Sequence, residues 1–556
     1  MPALSGLKKM QKIESYLKNK IQQALEKLSL PAVEYTLNIP KIESHGDLST
    51  NLALLLANQV KQNPRELAQK LIENFEIEEK VFSRMEVASP GFINFFYSSR
   101  YLQKVVLTIL QQGSRFGRAD AGKKQKAQVE FVSANPTGPL TIGHGRQAVI
   151  GDTIANFLEW TGYKVTREYY FNNAGRQMRV LGDSVRLRYK QQLGEEVDFP
   201  DDYYQGEYIT DIAKALKKKY SDSLKNRTDQ EIEIFKDAAE QAIFQDIKQT
   251  LKRLGIEFDV YYNEKDLYTN GEIERVIQIL KEKDLAYEKE GALWFRSTSF
   301  GLEQDRVIVK SSGEPTYRLP DMAYHRSKFE RGFDLMVDIF GADHIATYPD
   351  VLAGIKALGY DESKIKVLIH QFVTLFQGKE KVKMSTRRAN FVTLDELMDE
   401  VGTDVTRWFF LMRSMDSHLN FDLVLAKTQS DENPVFYNQY AHARICSILR
   451  NAAERGITYD SPAALKLLQD PNEFMLIKKL LDFPPMVEKC ARDFSPHLLT
   501  QYLSDLSTAF HKFYTECWVL TTDKELSQAR LALCLATKTV LANGFSIIGV
   551  AALESM

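Results

Sequence analysis

Ala127-Gln-Val-Glu-Phe-Val-Ser-Ala-Asn-Pro-Thr-Gly-Pro-Leu-Thr-Ile-Gly-His144 is the stretch on which the fold turns. Its first part, Ala127–Ser133, is rich in β-formers and predicts a strand. Asn135-Pro-Thr-Gly-Pro139 breaks that strand, because proline lacks the N–H a ladder needs. From about Gly143 to Trp160 the apolar spacing is helical, and Gly162 stands where a helix ends in a left-handed residue. Tyr163–Phe171 predicts the next strand. Strand, turn, helix, strand is the unit of a doubly wound parallel sheet. Asp334–Phe340 and Lys364–Gln371 are expected as later strands of it.

Working outward, residues 1–120 read as a small α+β module. Leu4, Leu7, Met10, Ile13, Leu17, Ile21, Leu25 and Leu28 recur every three or four positions and predict one apolar helix face. Glu14 lies inside that run and the first arginine is Arg65, which sets it apart from a mitochondrial presequence. A strand-like Val33–Pro40, a turn over His45–Asn51, helices to about Gln59 and from Pro64, and strands around Ser89-Pro-Gly91 complete the module. The basic link Gly117–Lys126 marks its boundary. Residues 121–375 form the sheet-bearing domain, with a charged helical insertion over about 190–300. A connecting helical region follows over 376–430, and residues 431–556 read as an all-α bundle.

Composition narrows the function. With 72 Lys+Arg against 74 Asp+Glu the chain carries a net charge of −2, which excludes a polybasic nucleic-acid coat. The four cysteines, at 446, 490, 517 and 534, have no CxxC spacing. That argues against zinc motifs and a disulfide framework and predicts a reducing, cytoplasmic setting. No apolar run approaches a membrane span, so no membrane partner is expected.

Two loops carry chemistry. Ser133-Ala-Asn-Pro-Thr-Gly-Pro-Leu-Thr-Ile-Gly-His144 joins a strand to a helix start, where backbone N–H groups and the helix dipole favour anions. It lacks the Walker A pattern. About 240 residues on, Lys383-Met-Ser-Thr-Arg387, preceded by Gly378-Lys-Glu-Lys381, suits a clamp on pyrophosphate. Together they resemble the HIGH and KMSKS signatures of class I aminoacyl-tRNA synthetases. Val129–Gly138, Asn173-Ala-Gly-Arg-Gln177, Thr316–His325, Gly341-Ala-Asp-His344 and Asn433–Arg444 narrow the resemblance to the arginyl-tRNA synthetase family, over nearly the whole chain.

The resemblance implies a multidomain α/β protein: a Rossmann-type catalytic domain, an N-terminal module that meets the tRNA D-loop, and a helical anticodon-binding domain. It implies ATP-dependent formation of arginyl-adenylate and transfer of arginine to the terminal ribose of tRNA-Arg, in an assay that contains tRNA. The partners are L-arginine, ATP with Mg²⁺ as substrate complex, and tRNA-Arg. No protein-bound metal and a monomer are expected. His144 matches the second His of HIGH and Thr141 stands at the first. Lys383, Met384 and Ser385 match KMS. Thr386 replaces the second Lys of that motif, so Lys381, Arg387 or Arg388 is expected to supply the missing charge. Gly143, Gly341 and His344 belong with the nucleotide. For arginine, Glu130 and Asp321 are implied as guanidinium partners with Tyr317 beside them. Asn135 and the backbone at Ser133 take its α-amino and carboxylate groups. Asp343 or His344 lines this pocket or the adenosine side. For tRNA, the resemblance implies Phe92 and Asn94 in the first module, and Tyr437, Arg444, Tyr514 and Met556 at the anticodon. Residues 431–556 hold 12 Lys+Arg against 14 Asp+Glu, so RNA contact there must come from placed groups and stacking.

Overall fold

Leu17, Ile21, Ala24 and Leu25 form the buried face of helix Ile13–Lys27, as their spacing predicts. The computed structural model describes residues 13–40, 42–173, 175–225, 232–342, 345, 347–382, 392–459 and 462–556, so the first turns of the expected helix lie outside the described residues. The helix packs with a four-stranded antiparallel sheet of β1 (Leu37–Asn38), β2 (Leu48–Thr50), β3 (Phe82–Ala88) and β4 (Phe92–Tyr97), in the order β1-β2-β4-β3. Leu48–Thr50, expected within a turn, is a strand because it pairs with Phe95, Asn94 and Ile93 of β4. This core runs only from Leu17 to Phe95. Helix Ser99–Gln112 and the link after it belong to the main body instead. Asn543 Nδ2 donates to the carbonyls of Gly113 at 3.1 Å and Phe116 at 3.0 Å, and Phe116 stacks on Phe483.

The main sheet joins β5 (Lys126–Glu130), β6 (Lys164–Phe171) and β7 (Val260–Asn263). A small antiparallel sheet of β8 (Ala286–Lys289), β9 (Ala292–Phe295) and β10 (Arg306–Val309) intervenes before β11 (Leu335–Gly341) and β12 (Ile365–His370). The order β12-β11-β5-β6-β7 is parallel throughout. The stretch 190–300 is therefore more than a helical insertion, since it supplies the sheet's edge strand β7 and two strands, β8 and β9, of the small second sheet. Helix Ile142–Trp160 covers one face and is buried on nearly all sides. It lies so close that a Cβ on Gly151 would stand 2.2 Å from the Phe131 ring. Helices Arg318–Glu330 and Tyr348–Leu358 cover the other face. Strand order reverses between β5 and β11, which opens a crevice beyond their carboxyl ends.

β13 (Val373–Gln377), β14 (Glu380–Lys381) and β15 (Leu419–Asp422) form a third sheet. The region after residue 390 is thus not wholly helical: Leu419–Asp422 is drawn into parallel pairing with β13. The bundle from Pro434 to Ile548 shares one continuous apolar core with the catalytic face. Arg407 stitches the two, donating to Ile548 O at 2.7 Å, Leu254 O at 2.8 Å and Asp152 Oδ2 at 2.6 Å. Helix Lys524–Ile548 is long and apolar enough to span a membrane, yet it is mostly buried in this bundle as a core helix. All four cysteines are buried and unpaired.

Candidate active site

A cleft of about 850 Å³ occupies the crevice at the strand-order reversal. Its floor is the turn after β5. Val132 and Ser133 both take left-handed backbone angles, with φ of 68° and 42°, and a β-branched residue there is strained. The surroundings hold the turn in place. Ser133 Oγ donates to Glu130 Oε1 at 3.1 Å and accepts from Tyr170 N at 3.1 Å, while Tyr169 Oη donates to Ala134 O at 2.8 Å. The strand expected to reach Ser133 ends at Glu130 for this reason. Asn135 follows on the rim, its Nδ2 donating to Gln177 at 2.8 Å.

Helix Ile142–Trp160 points its N-terminus into the same cleft. Thr141, at the position where the signature carries its first His, caps this helix. Its backbone N–H donates to His144 Nδ1 at 3.2 Å in a reciprocal capping box. A backbone N–H can only donate, so Nδ1 is the acceptor and the imidazole proton sits on Nε2. A Cβ on Gly143 would meet only Thr141 Oγ1, at 3.7 Å, so this face stays open for a ligand. Leu394 N donates to Leu140 O at 2.8 Å, and Thr141 bridges Thr393. The described residues on either side of 383–391 are thus the β13–β14 hairpin and Thr393-Leu394, the latter beside the signature turn. Lys383, Met384, Ser385, Arg387 and Arg388 lie outside the described residues, as do Asp343 and His344. Lys381 is exposed on β14, and Gly341 ends β11 at the cleft.

The far wall is acidic. Asp321 lies in the first turn of helix Arg318–Glu330, whose start is pinned by Asp350 accepting from Arg318 Nε at 2.6 Å and Arg306 Nε at 3.0 Å. Burial pushes the Asp321 carboxyl up to about 7; His325 and Lys328 oppose this, and Glu130 and Glu264 add to it. Glu264 is buried, which raises its own carboxyl. The sequence reading missed Glu264, which sits inside a long charged region and carries no local signal. Tyr317, half exposed, flanks the opening under the Arg318 guanidinium. Glu130 is not a lone carboxylate, because Lys328 Nζ lies 2.6 Å from its Oε2.

The remaining predicted residues fall into two distant groups. Phe92 is exposed on the outer face of the N-terminal sheet. Asn94, expected to read a base edge, is buried there, with its Oδ1 accepting from Ser49 Oγ at 2.7 Å. Its amide orders the sheet face and does not stand open. In the bundle, helices Pro434–Glu454 and His497–Glu516 bring Tyr437, Arg444 and Tyr514 together. Arg444 Nη1 donates to Tyr514 Oη at 3.3 Å and Nη2 to Tyr440 Oη, and Tyr437 packs on His511. Tyr440 and His511 join this face without having been predicted. The tail carrying Met556 is tied to the bundle, since Leu553 O is 2.7 Å from His442 Nδ1 and Gln439 Nε2 donates to Ala551 O at 2.9 Å.

Three family profiles match the chain. "Arginyl tRNA synthetase N terminal domain" covers residues 15–97, "tRNA synthetases class I (R), catalytic domain" 105–409, and "DALR anticodon binding domain" 438–556. An arginine–tRNA ligase of Desulfotalea psychrophila is 54% identical over 527 residues, covering 94% of this chain and 95% of its own. One from Salinibacter ruber is 50% identical, over 98% of this chain and 100% of its own. The solved arginyl-tRNA synthetase of Thermus thermophilus superposes with a TM-score of 0.76 at 22% identity, over 98% of this chain and 100% of that one.

Proposed function

Since the chain belongs to the arginyl-tRNA synthetase family, whose members join arginine to tRNA-Arg with ATP, we propose that arginine and ATP meet in the cleft between β5 and β11. The enzyme is an arginine–tRNA ligase. The observation that carries the assignment is the juxtaposition, in one cleft, of the Glu130 and Asp321 carboxylates, with Glu264 acting on Asp321, and the open N-terminus of the signature helix. A guanidinium is a planar five-donor fork that pairs with carboxylates in a way an ammonium cannot. ATP lies with its phosphates at the helix start, and Mg²⁺ comes with it.

The arginine carboxylate attacks the α-phosphate in line and pyrophosphate leaves, forming arginyl-adenylate. That carboxylate is already a nucleophile, so the step needs positioning and charge stabilisation, and no general base. Asn135 and the backbone at Ser133 hold the α-amino and carboxylate ends, with Glu130 and Asp321 facing the side chain and Tyr317 covering it. His144 Nε2–H donates to the α-phosphate as charge builds. Lys383, Ser385 and Arg387, with Met384 in register, close on the leaving pyrophosphate. Gly341 and His344 are assigned to the adenosine and Asp343 to the arginine. The 2′-hydroxyl of the terminal tRNA ribose then attacks the arginyl carbonyl, the anhydride bond breaks and AMP leaves.

For the tRNA, Phe92 on the N-terminal module stacks on a D-loop base, and Tyr437, Arg444, Tyr514 and Met556 face the anticodon. The N-terminal module up to Tyr97, the sheet-bearing body that begins with helix Ser99–Gln112, and the helical bundle divide these tasks. The protein acts as a monomer in this reading, and the buried unpaired thiols suit the cytoplasm.

Charging of tRNA with each amino acid in turn tests the assignment. Arginine is expected to be transferred at least about 10³-fold more efficiently than lysine, because a single ammonium leaves one carboxylate unpaired. Comparable charging with lysine would sink it. Gly143→Ala is expected to raise the ATP KM by about tenfold, by crowding the nucleotide. Its melting temperature should not fall, since the added methyl meets no protein atom closer than 3.7 Å and alanine favours the helix. An unchanged ATP KM would place the nucleotide elsewhere.

A further inference from the structure

Lys328 is wholly buried beneath the cleft, with its Nζ 2.6 Å from Glu130 Oε2 and 2.6 Å from Asp338 Oδ1. The other Asp338 oxygen lies 2.9 Å from His325 Nε2, and His325 Nδ1 lies 2.8 Å from Asp321 O. The other Glu130 oxygen takes the Ser133 hydroxyl, which in turn accepts from Tyr170 N. An unbroken polar chain thus runs from the Asp321 helix, through one ammonium, to the strained Val132–Ser133 turn. Glu130 is the only member of that chain that both lines the cleft and bonds Lys328.

A buried ion pair adds little to stability over an apolar replacement of the same shape. Stability alone is thus a weak reason for an ammonium at this spot. The geometry points to Lys328 as a positioning residue for the amino-acid substrate: it fixes the Glu130 carboxylate and, through Ser133, the left-handed turn that receives arginine. Without it Glu130 would lose the ammonium it pairs with while Asp338 and Asp321 stay close by, and would turn away from Ser133. The binding surface would then have to be ordered at the moment of binding, which weakens affinity for arginine specifically. This rests on the reading that arginine binds beside Glu130.

The test is steady-state tRNA charging by the full-length enzyme for wild type, Lys328→Met, Glu130→Gln and the double variant Lys328→Met/Asp338→Asn, with melting temperatures alongside. In the double variant the charge removed from Lys328 is matched at Asp338, and the new amide keeps an acceptor for His325. Lys328→Met is expected to raise the arginine KM about tenfold or more, with the ATP KM within about twofold. The double variant is expected to recover the melting temperature yet keep the raised arginine KM, and it carries the test if Lys328→Met does not fold. An arginine KM that returns to the wild-type value in the double variant would overturn the inference, because Lys328 would then serve only to neutralise Asp338. A parallel rise in ATP KM would overturn it too. Glu130→Gln with an unchanged arginine KM would instead remove the reading of the cleft, and this inference with it.

Discussion

His144→Ala is expected to slow arginyl-adenylate formation by about 10²–10³-fold, the loss typical of removing one preorganised donor to a developing oxyanion. The ATP KM should change little, because the contact strengthens only as charge builds on the α-phosphate. The structure gives a reason to expect so large an effect from one imidazole. His144 Nδ1 is occupied by the Thr141 backbone N–H, so the ring enters the reaction with its orientation set and its proton on the other nitrogen. Thr141 contributes here as a cap, which a hydroxyl can do without carrying charge. Losing the reciprocal cap should cost only about 1 kcal/mol of stability, far too little to account for the rate. Single-turnover adenylate formation in the presence of tRNA measures the effect. A rate within about threefold of wild type would place the phosphates away from the signature helix.

Asp321→Asn is expected to lower kcat/KM for arginine by about 10²–10³-fold, with most of the loss in arginine binding. The wild-type enzyme should also show a pH dependence that this variant lacks. In the free enzyme burial holds the Asp321 carboxyl near 7, and only its ionised form pairs with a guanidinium. Below that pH arginine must expel a proton in order to bind. Its affinity therefore rises as the pH is raised through about 7, and levels off above. Calorimetry in buffers of different ionisation heat should detect this proton release at pH 6 and little of it at pH 8.5. A flat profile for the wild type would rule out Asp321 as a guanidinium partner. The same shift controls for misfolding. The folded carboxyl titrates about 7 against an ordinary value of 3.8, so stability present with the protonated acid is lost as pH rises from about 4 through 7. Asp321→Asn should therefore be no less stable than wild type at pH 8. The site trades stability for a charge that arginine completes.

Much of this was legible in the chain because it is written locally. The run of β-formers from Ala127, the proline-bounded turn and the helical spacing from about Gly143 to Trp160 each occupy one window of sequence, and β5, the signature helix and β6 formed close to where those windows predict. Strands without such a pattern were missed. Leu48–Thr50 has only three residues, Val260–Asn263 is half buried at every position, and Leu419–Asp422 sits among helices. Each is a strand because of its partner.

By itself, then, the sequence determined the βαβ unit, the signature turn and the residue types the chemistry needs, since hydrophobic period and turn propensity act over a few neighbours. Tertiary structure alone decided what those residues meet. Glu264, 57 positions before Asp321, became its neighbour. Lys328 met Glu130 across 198 positions, so the carboxylate expected to take a guanidinium already shares an ammonium with Asp338. Asn94 was closed over by Ser49, and Tyr440 and His511 joined Arg444 and Tyr437. Charge and burial act through space, so a carboxyl poised near 7 exists only once strands and helices far apart in the chain have packed around it.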